Sequence, residues 1–173
     1  SYGFNVGEYV RDKDAVVTCV LAAEVACWAA SRGKTMYDLL KELYVRFGFF
    51  KERMVSRTLK GKDGMEQIRS IMKHLRENPP AQLLGSSVVL FHDYKKRETV
   101  DMVSDLRYEI NLPESDVIQY VCADNTVVTV RPSGTEPKIK YYYGVRARLD
   151  SEQDYDKINR LLDDKLDALN DLF

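Results

Sequence analysis

One segment of the chain combines residue types that bind phosphate. Residues 130–140 read Val-Arg-Pro-Ser-Gly-Thr-Glu-Pro-Lys-Ile-Lys and lie between two candidate strands. Arg131 offers a planar guanidinium fork that matches two phosphate oxygens. Ser133 and Thr135 add hydroxyl donors at alternate positions. The segment is therefore predicted to be a phosphate-binding loop.

The backbone of this segment also suits an anion. Pro132 and Pro137 stiffen its two ends, and Gly134 permits a positive φ, so successive N–H groups can point into one concavity. Lys138 or Lys140 adds a point charge. A rigid hairpin turn with exposed polar residues has the same composition, and that alternative stays open on the residues alone.

The surrounding pattern predicts the elements that position the loop. After Gly48 the sequence alternates as in a strand, and an amphipathic helix then runs to Asn78. Further strands are expected at about 87–92, 116–123 and 126–131, followed by a strand with Ile139, Tyr141, Tyr143 and Val145 facing one way and a helix capped by Ser151. Short connections between successive strands favour an α+β domain with a mostly antiparallel sheet packed by helices.

The first part of the chain is helical by the same criteria. Residues 15–30 carry one charge and are apolar on nearly every side, which predicts a buried helix too short for a membrane span of about 20 residues. Asp12 or Asp14 can cap its start, and Gly33 can end it. A second helix then begins at a capping box and ends at Gly48.

Composition narrows the classes of function. The formal net charge is −1, with 26 Lys and Arg against 27 Asp and Glu, so the whole molecule has no attraction for nucleic acid or an acidic membrane. Three cysteines without C-x-x-C spacing argue against a disulfide framework and a cysteine-rich zinc site, and favour a reducing compartment. The absence of a starting methionine suggests a processed product or a fragment of a longer protein.

The 130–140 segment resembles the phosphate-binding loop of the α-D-phosphohexomutases, the phosphoglucomutase/phosphomannomutase family. The pattern in that family's C-terminal domain is Arg-(Pro/Thr)-Ser-Gly-Thr-Glu-Pro-Lys. Upstream, residues 1–4 resemble the tail of the family's sugar-binding loop, and residues 10–14 resemble the Arg-x-Lys-Asp segment after it. The order and spacing of the three fit the family over essentially the whole chain.

The resemblance implies roles for individual residues. Arg131, Ser133, Gly134 and Thr135 match the loop that grips the phosphate that is not being transferred, and Lys138 is a weaker addition. Ser1 matches the serine that reads sugar hydroxyls. Lys13 matches a lysine near the transferring phosphate, a candidate for proton transfer or charge stabilisation. From the residues alone, Lys13 is a surface cation next to a helix start.

The resemblance also implies the architecture. Residues 1–48 would be the end of the third, α/β domain of a four-domain enzyme, and residues 49–173 would be its fourth domain, with a fold like that of the TATA-binding protein. The Asp12-Lys13-Asp14 sequence lacks a third carboxylate and is expected to be a helix cap rather than a metal site. No metal site is expected within these 173 residues.

The family reaction moves a phosphoryl group between the 1- and 6-hydroxyls of a hexose through a bisphosphorylated intermediate. It uses a phosphoserine in the first domain and Mg²⁺ held in the second. The chain as given contains neither segment, so it is expected to be inactive without the N-terminal domains of the same protein. The expected ligands are glucose or mannose 1- and 6-phosphates in the cytoplasm, with no nucleic-acid or membrane partner. A non-catalytic anion-binding or interaction domain of the same fold is the alternative.

Overall fold

A computed structural model describes residues 3–8, 11–59, 63–134 and 136–173. The chain divides into two compact units. The first comprises Ser1–Gly48 and Leu149–Tyr155, and the second comprises Phe49–Arg148 and Asp156–Phe173. The segment 149–155 thus belongs with the N-terminal residues, although it is far from them in sequence.

The first unit contains two helices, α1 (Ala15–Ser31) and α2 (Met36–Phe47), and a 3₁₀ turn at Glu152–Asp154. Asp14 caps α1, because its carboxylate accepts from the N–H groups of Val16 and Val17 at 2.8 and 3.0 Å. The capping box that begins α2 is confirmed, with Thr35 and Asp38 each accepting from the other's backbone.

The prediction that α1 is a buried helix is wrong: most of its residues are exposed within this unit. Ala29 is its one buried residue, whereas the side chains of Val16 and Trp28 are 75% and 55% exposed. A helix that is apolar on all sides needs neighbours on all sides, and α2 can cover one of them. Among the described residues no single helix is long and apolar enough to cross a membrane. Taken together, α1 and α2 have the length and apolar composition of a membrane span, but they are bent by 87° at the break between them.

The second unit is built on an antiparallel sheet, as predicted. Its helices are α3 (Gly64–Glu77) and α4 (Tyr155–Leu172). Its strands are β1 (Phe49–Thr58), β2 (Gln82–Leu83), β3 (Ser86–Asp93), β4 (Glu98–Asp101), β5 (Arg107–Glu109), β6 (Ile118–Cys122), β7 (Val127–Pro132) and β8 (Lys138–Ala147). The strand order is β1-β8-β7-β6-β3-β4-β5, with β2 paired to β3. The α+β class with a mostly antiparallel sheet is confirmed.

Alternation along the strands separates a buried face of this sheet from an open one. The core contains Tyr120, Val128, Val130, Ile139, Tyr141 and Tyr143 from the sheet, together with Ile68 and Met72 of α3 and Leu162, Leu166 and Leu169 of α4. Neighbouring positions point the other way, and the side chain of Tyr142 is 39% exposed. The expectation that Tyr141 and Tyr143 belong to the core is therefore confirmed.

Two features of this unit were not predicted. The strands β4 and β5 are short and mostly polar, and β5 is at the edge of the sheet, so no apolar alternation marked them. Acidic residues of α4 also form ion pairs with β1, because Asp163 accepts from Lys51 at 2.7 Å and Asp167 pairs with Arg53. These ion pairs form because the charged alternate positions of β1 point towards α4.

Candidate functional site

The predicted phosphate-binding loop is the connection between β7 and β8, and it is closed by its own backbone. The N–H of Ser133 donates to the carbonyl of Lys138 at 2.7 Å, and the N–H of Lys138 donates to the carbonyl of Glu136 at 2.7 Å. These two N–H groups are therefore not free to point into a concavity, which corrects part of the prediction. Thr135 lies outside the described residues.

The loop is also anchored from outside the hairpin. The N–H of Leu59 donates to the carbonyl of Pro137 at 2.9 Å. Gly64, the first residue of α3, lies so close that a Cβ there would be 2.2 Å from the Leu59 oxygen and 3.3 Å from the Pro137 Cβ. A residue without a side chain is required at this position, and the start of α3 is thereby held against the loop.

Gly134 does not have the conformation that was predicted for it. Its φ lies outside the left-handed region, so positive φ is not the reason for a glycine here. A Cβ built at Gly134 would meet no atom within 4 Å. The missing side chain instead leaves the backbone of the exposed loop open to approach.

Arg131 and Lys140 are directly opposite each other across β7 and β8. Both alternate with buried neighbours, Val130 and Ile139, so both side chains leave the sheet on the open face. Within the described part of the chain neither forms an ion pair with a carboxylate. Like charges directly opposite each other destabilise a strand pair, and an anion between them would offset that repulsion.

Lys138 is a weaker candidate than Lys140. Its Nζ lies 3.0 Å from Oε2 of Glu136, so the loop's own carboxylate already offsets its charge. Lys138 was predicted as a site residue because it is part of the motif, whereas Lys140 was only an alternative to it. Only the strand register identifies Lys140 as the partner of Arg131.

Hydroxyl groups on β1 adjoin the same cations. Ser56 pairs with Lys140, and Thr58 pairs with Lys138, in the antiparallel register of β1 and β8. Both hydroxyl residues are exposed on the open face. Ser56 and Thr58 were not predicted as part of the site, although the alternation along residues 49–58 indicates that they share a face.

On its other side the loop borders a cavity of about 280 Å³ beneath α3. Arg131, Pro132, Ser133 and Gly134 line it together with Arg69 of α3 and Asp116. Arg69 was also missed, and no carboxylate among the described residues pairs with it. Arg69 of α3 and Arg131 of β7 therefore border the same cavity beside the loop.

The remaining predicted residues belong to the first unit. Ser1 lies outside the described residues. The Nζ of Lys13 lies 2.8 Å from Oδ1 of Asp12, and hydrogen bonds from Lys13 lower the pKa of Asp12. Asp14 is a helix cap, as expected. Among the described residues no group of three or more His, Cys, Asp or Glu could hold a metal ion.

Comparison with known proteins identifies relatives of this chain. The family model described as "Phosphoglucomutase/phosphomannomutase, C-terminal domain" matches residues 59–168. Phosphoglucomutase of Staphylococcus aureus strain MSSA476 is 40% identical over 148 residues, which cover 86% of this chain and 27% of the relative. The protein of the same name from strain MRSA252 is 38% identical over 162 residues, covering 94% and 29%. The chain thus spans less than a third of these relatives.

Among solved structures, the chain is similar to the open form of the exocytosis-sensitive phosphoprotein pp63/parafusin, a phosphoglucomutase from Paramecium. The TM-score is 0.49 at 11% sequence identity. The match covers 94% of this chain and 29% of the Paramecium protein.

Proposed function

The chain belongs to the phosphoglucomutase/phosphomannomutase family, and from this premise we propose that its second unit binds the phosphate of a hexose phosphate at the β7–β8 loop. The observation that carries the proposal is the pair Arg131 and Lys140, opposite each other on the open face without a carboxylate partner among the described residues. A bound phosphate dianion would lie between two cations that otherwise repel each other.

Each loop residue has a distinct part in this proposal. Arg131 supplies two parallel donors to two phosphate oxygens, and Lys140 supplies a point charge. The hydroxyls of Ser133 and Thr135 donate further hydrogen bonds, and Gly134 leaves the backbone open to the ligand. Lys138 contributes less, because Glu136 already pairs with it.

In the whole enzyme we propose that this loop holds the phosphate that is not being transferred. The phosphoryl group would then move between the 1- and 6-hydroxyls of glucose or mannose through a bisphosphorylated intermediate. Since a phosphate has the same shape on either carbon, a loop that reads only phosphate accepts the intermediate in both orientations. Ser1 would contact the sugar, and Lys13 would act near the transferring phosphate.

Mg²⁺ and the phosphoserine are assigned to other segments of the whole enzyme. The described residues include no group of three or more His, Cys, Asp or Glu that could hold the metal. We therefore propose that these 173 residues bind ligand without turnover, and that the complete protein acts in the cytoplasm. Conversion of glucose 1-phosphate by these residues alone would contradict the proposal.

The direct test is a calorimetric titration of the chain at low ionic strength. Glucose 1-phosphate, glucose 6-phosphate, mannose 6-phosphate and unphosphorylated glucose are the ligands. The two glucose phosphates are expected to bind with similar affinity, and glucose is expected not to bind. Equal binding of glucose and its phosphates would refute phosphate recognition by the loop.

The matched variants are Arg131→Ala and Arg160→Ala. Both remove one exposed arginine, but Arg160 belongs to α4 and not to the strands that carry the loop. Binding is expected to be lost only in Arg131→Ala. If both variants bind as the parent chain does, the loop is not the site, and the chain is better described as an interaction domain.

A further inference from the structure

A groove beside α3 contains more cations than carboxylates. Its volume is about 350 Å³, at the lower end of the range of roughly 300–1,000 Å³ for ligand pockets. Five basic residues line it, namely Arg69, Lys73, Arg76, Lys95 and Lys96. Glu77 and Asp116 are the acidic residues among those that line this groove. We call it the α3 groove.

Two elements bring these cations together. Arg69, Lys73 and Arg76 recur at positions i, i+4 and i+7, so they form one stripe along α3. Lys95 and Lys96 lie in the turn between β3 and β4, which are paired antiparallel. Only the tertiary structure brings the helix and the turn together, so neither the composition nor the net charge indicated this cluster of cations.

Some of the positive charge is already offset. Arg76 contacts Asp93 at 3.0 Å and Asp116 at 2.6 Å, and Lys73 lies 3.9 Å from Glu77. For Arg69, Lys95 and Lys96, by contrast, no ion pair with a carboxylate occurs in the described ranges of the chain. Three cations without an acidic partner therefore surround this groove.

A buried network fixes the two lysines beside the helix. Asp93 is 1% exposed, and its Oδ1 accepts from the backbone N–H groups of Lys95 and Lys96 at 3.1 and 3.3 Å. The same carboxylate accepts from Nε of Arg76 at 3.1 Å. The backbone of the turn is thereby tied to α3, so both lysines remain at the rim of the groove that Arg69 lines.

We propose that the α3 groove is a second anion-binding site, which takes a small ligand with two or more negative charges on phosphate groups. The guanidinium of Arg69 can bind two oxygens at once, and the two lysines add mobile point charges. Arg69 and Asp116 line both the α3 groove and the cavity beside the loop, but Lys73, Lys95 and Lys96 line the α3 groove and not that cavity. The α3 groove therefore has cations of its own, so this second site does not rest on hexose-phosphate binding by the loop.

Inorganic tripolyphosphate and inorganic phosphate are the probes for the test. The ¹⁵N-labelled chain is titrated at low ionic strength and followed by NMR. The amide signals of residues 95–97 and of Arg69 are expected to shift, with tripolyphosphate binding more tightly than phosphate. Affinity should fall steeply with added salt, because the contacts are charge to charge. Unchanged signals at these positions would overturn the proposal.

The decisive variant is Lys95→Ala combined with Lys96→Ala. It removes two ammonium groups but keeps the backbone N–H groups that bind Asp93, so the turn should stay folded. Lys157→Ala combined with Arg160→Ala removes the same charge from the exposed face of α4. Affinity for tripolyphosphate should fall at least tenfold in the first variant and less than twofold in the second. Equal losses in both would mean general charge attraction and would overturn the proposal.

Arg131→Ala separates this site from the loop. Tripolyphosphate is expected to shift residues 95–97 in this variant as it does in the parent chain, even though hexose-phosphate binding is lost. If Arg131→Ala abolished those shifts as well, the anion would bind at the loop, and the α3 groove would not be an independent site. If Arg131→Ala loses hexose-phosphate binding but keeps the tripolyphosphate shifts at residues 95–97, the proposed function concerns the loop and the α3 groove binds its anion independently.

Discussion

Arg131 and Lys140 occupy the same rung of the β7–β8 ladder, and both project from the open face of the sheet. Two cations on one rung cost stability, on the order of 0.2–1 kcal/mol for like charges directly opposite. In the proposed function a bound phosphate dianion would offset this repulsion.

Arg131→Ala is expected to weaken binding of glucose 6-phosphate by about 2 kcal/mol, or roughly 30-fold. The reason is the loss of two charge-assisted hydrogen bonds to phosphate oxygens. Isothermal titration gives the dissociation constant. Arg131→Lys is the informative companion, because it keeps the charge without the fork and should bind with intermediate affinity. An unchanged constant in Arg131→Ala would refute the role.

Lys140→Gln is expected to raise the free energy of unfolding by up to about 1 kcal/mol in phosphate-free buffer at low ionic strength. It removes one of the two like charges and keeps most of the side chain's length. Urea denaturation measures the effect, and Lys157→Gln on α4 is the control with the same change in net charge. A stability gain of equal size in the control would point to net charge rather than to the rung.

Gly134→Ala and Gly64→Ala should behave in opposite ways. At Gly134 a Cβ has open space and the φ is not left-handed, so the free energy of unfolding should stay the same or rise slightly. At Gly64 the Cβ would be 2.2 Å from the backbone oxygen of Leu59, so a loss of about 1–3 kcal/mol is expected. Thermal unfolding compares the two.

The ligand affinity of these glycine variants separates the two roles further. Gly134→Ala should bind hexose phosphate more weakly although it is fully folded, because the new methyl group stands over the exposed loop. Full affinity in this variant would show that the ligand does not approach the backbone there.

Asp124 gives the fold a defined acid sensitivity. Burial alone would raise its pKa, but the hydrogen bonds from Lys165 and from the N–H of Thr126 outweigh burial and lower the pKa to about 2. Because the folded pKa is below the ordinary value of 3.8, this carboxylate contributes stability above about pH 4. That contribution is lost as the pH falls from about 4 to 2.

The size of this effect is modest, since the side chain of Asp124 is 40% exposed. We expect about 1 kcal/mol after solvent screening. Urea denaturation at pH 6 and at pH 2.5 measures it, with Asp124→Asn expected to remove this part of the difference. Asp171→Asn, at an exposed position of α4, is the control and should leave the difference unchanged.

Arg76→Met tests the buried network. Asp93 would remain as a buried carboxylate without its cation, and such a loss typically costs about 3–5 kcal/mol. Arg97→Met removes an arginine from a more exposed pair, in which Arg97 lies 3.0 Å from Glu109, and should cost about 0–1 kcal/mol. Chemical denaturation of both variants gives the comparison. If both variants lose similarly little free energy of unfolding, water or a local rearrangement must provide hydrogen bonds to the Asp93 carboxylate in place of Arg76.

Sequence alone determined what depends on neighbours along the chain. The helix cap at Thr35, the alternation of Tyr141 and Tyr143, and the motif from Arg131 to Lys138 are all local patterns. Each results from one hydrogen bond, one periodicity or one turn, so a short window contains the information. The antiparallel class followed from the short connections between strands.

Only the tertiary structure decided which distant residues meet. The register of β7 and β8 placed Lys140 opposite Arg131, and the packing of α3 against the β3–β4 turn placed Lys95 near Arg69. The structure also gave Gly134 a φ outside the left-handed region, in which the motif had led us to expect it. These relationships depend on strand register and helix packing, which sum weak contacts over the whole unit, and no single stretch of sequence specifies them.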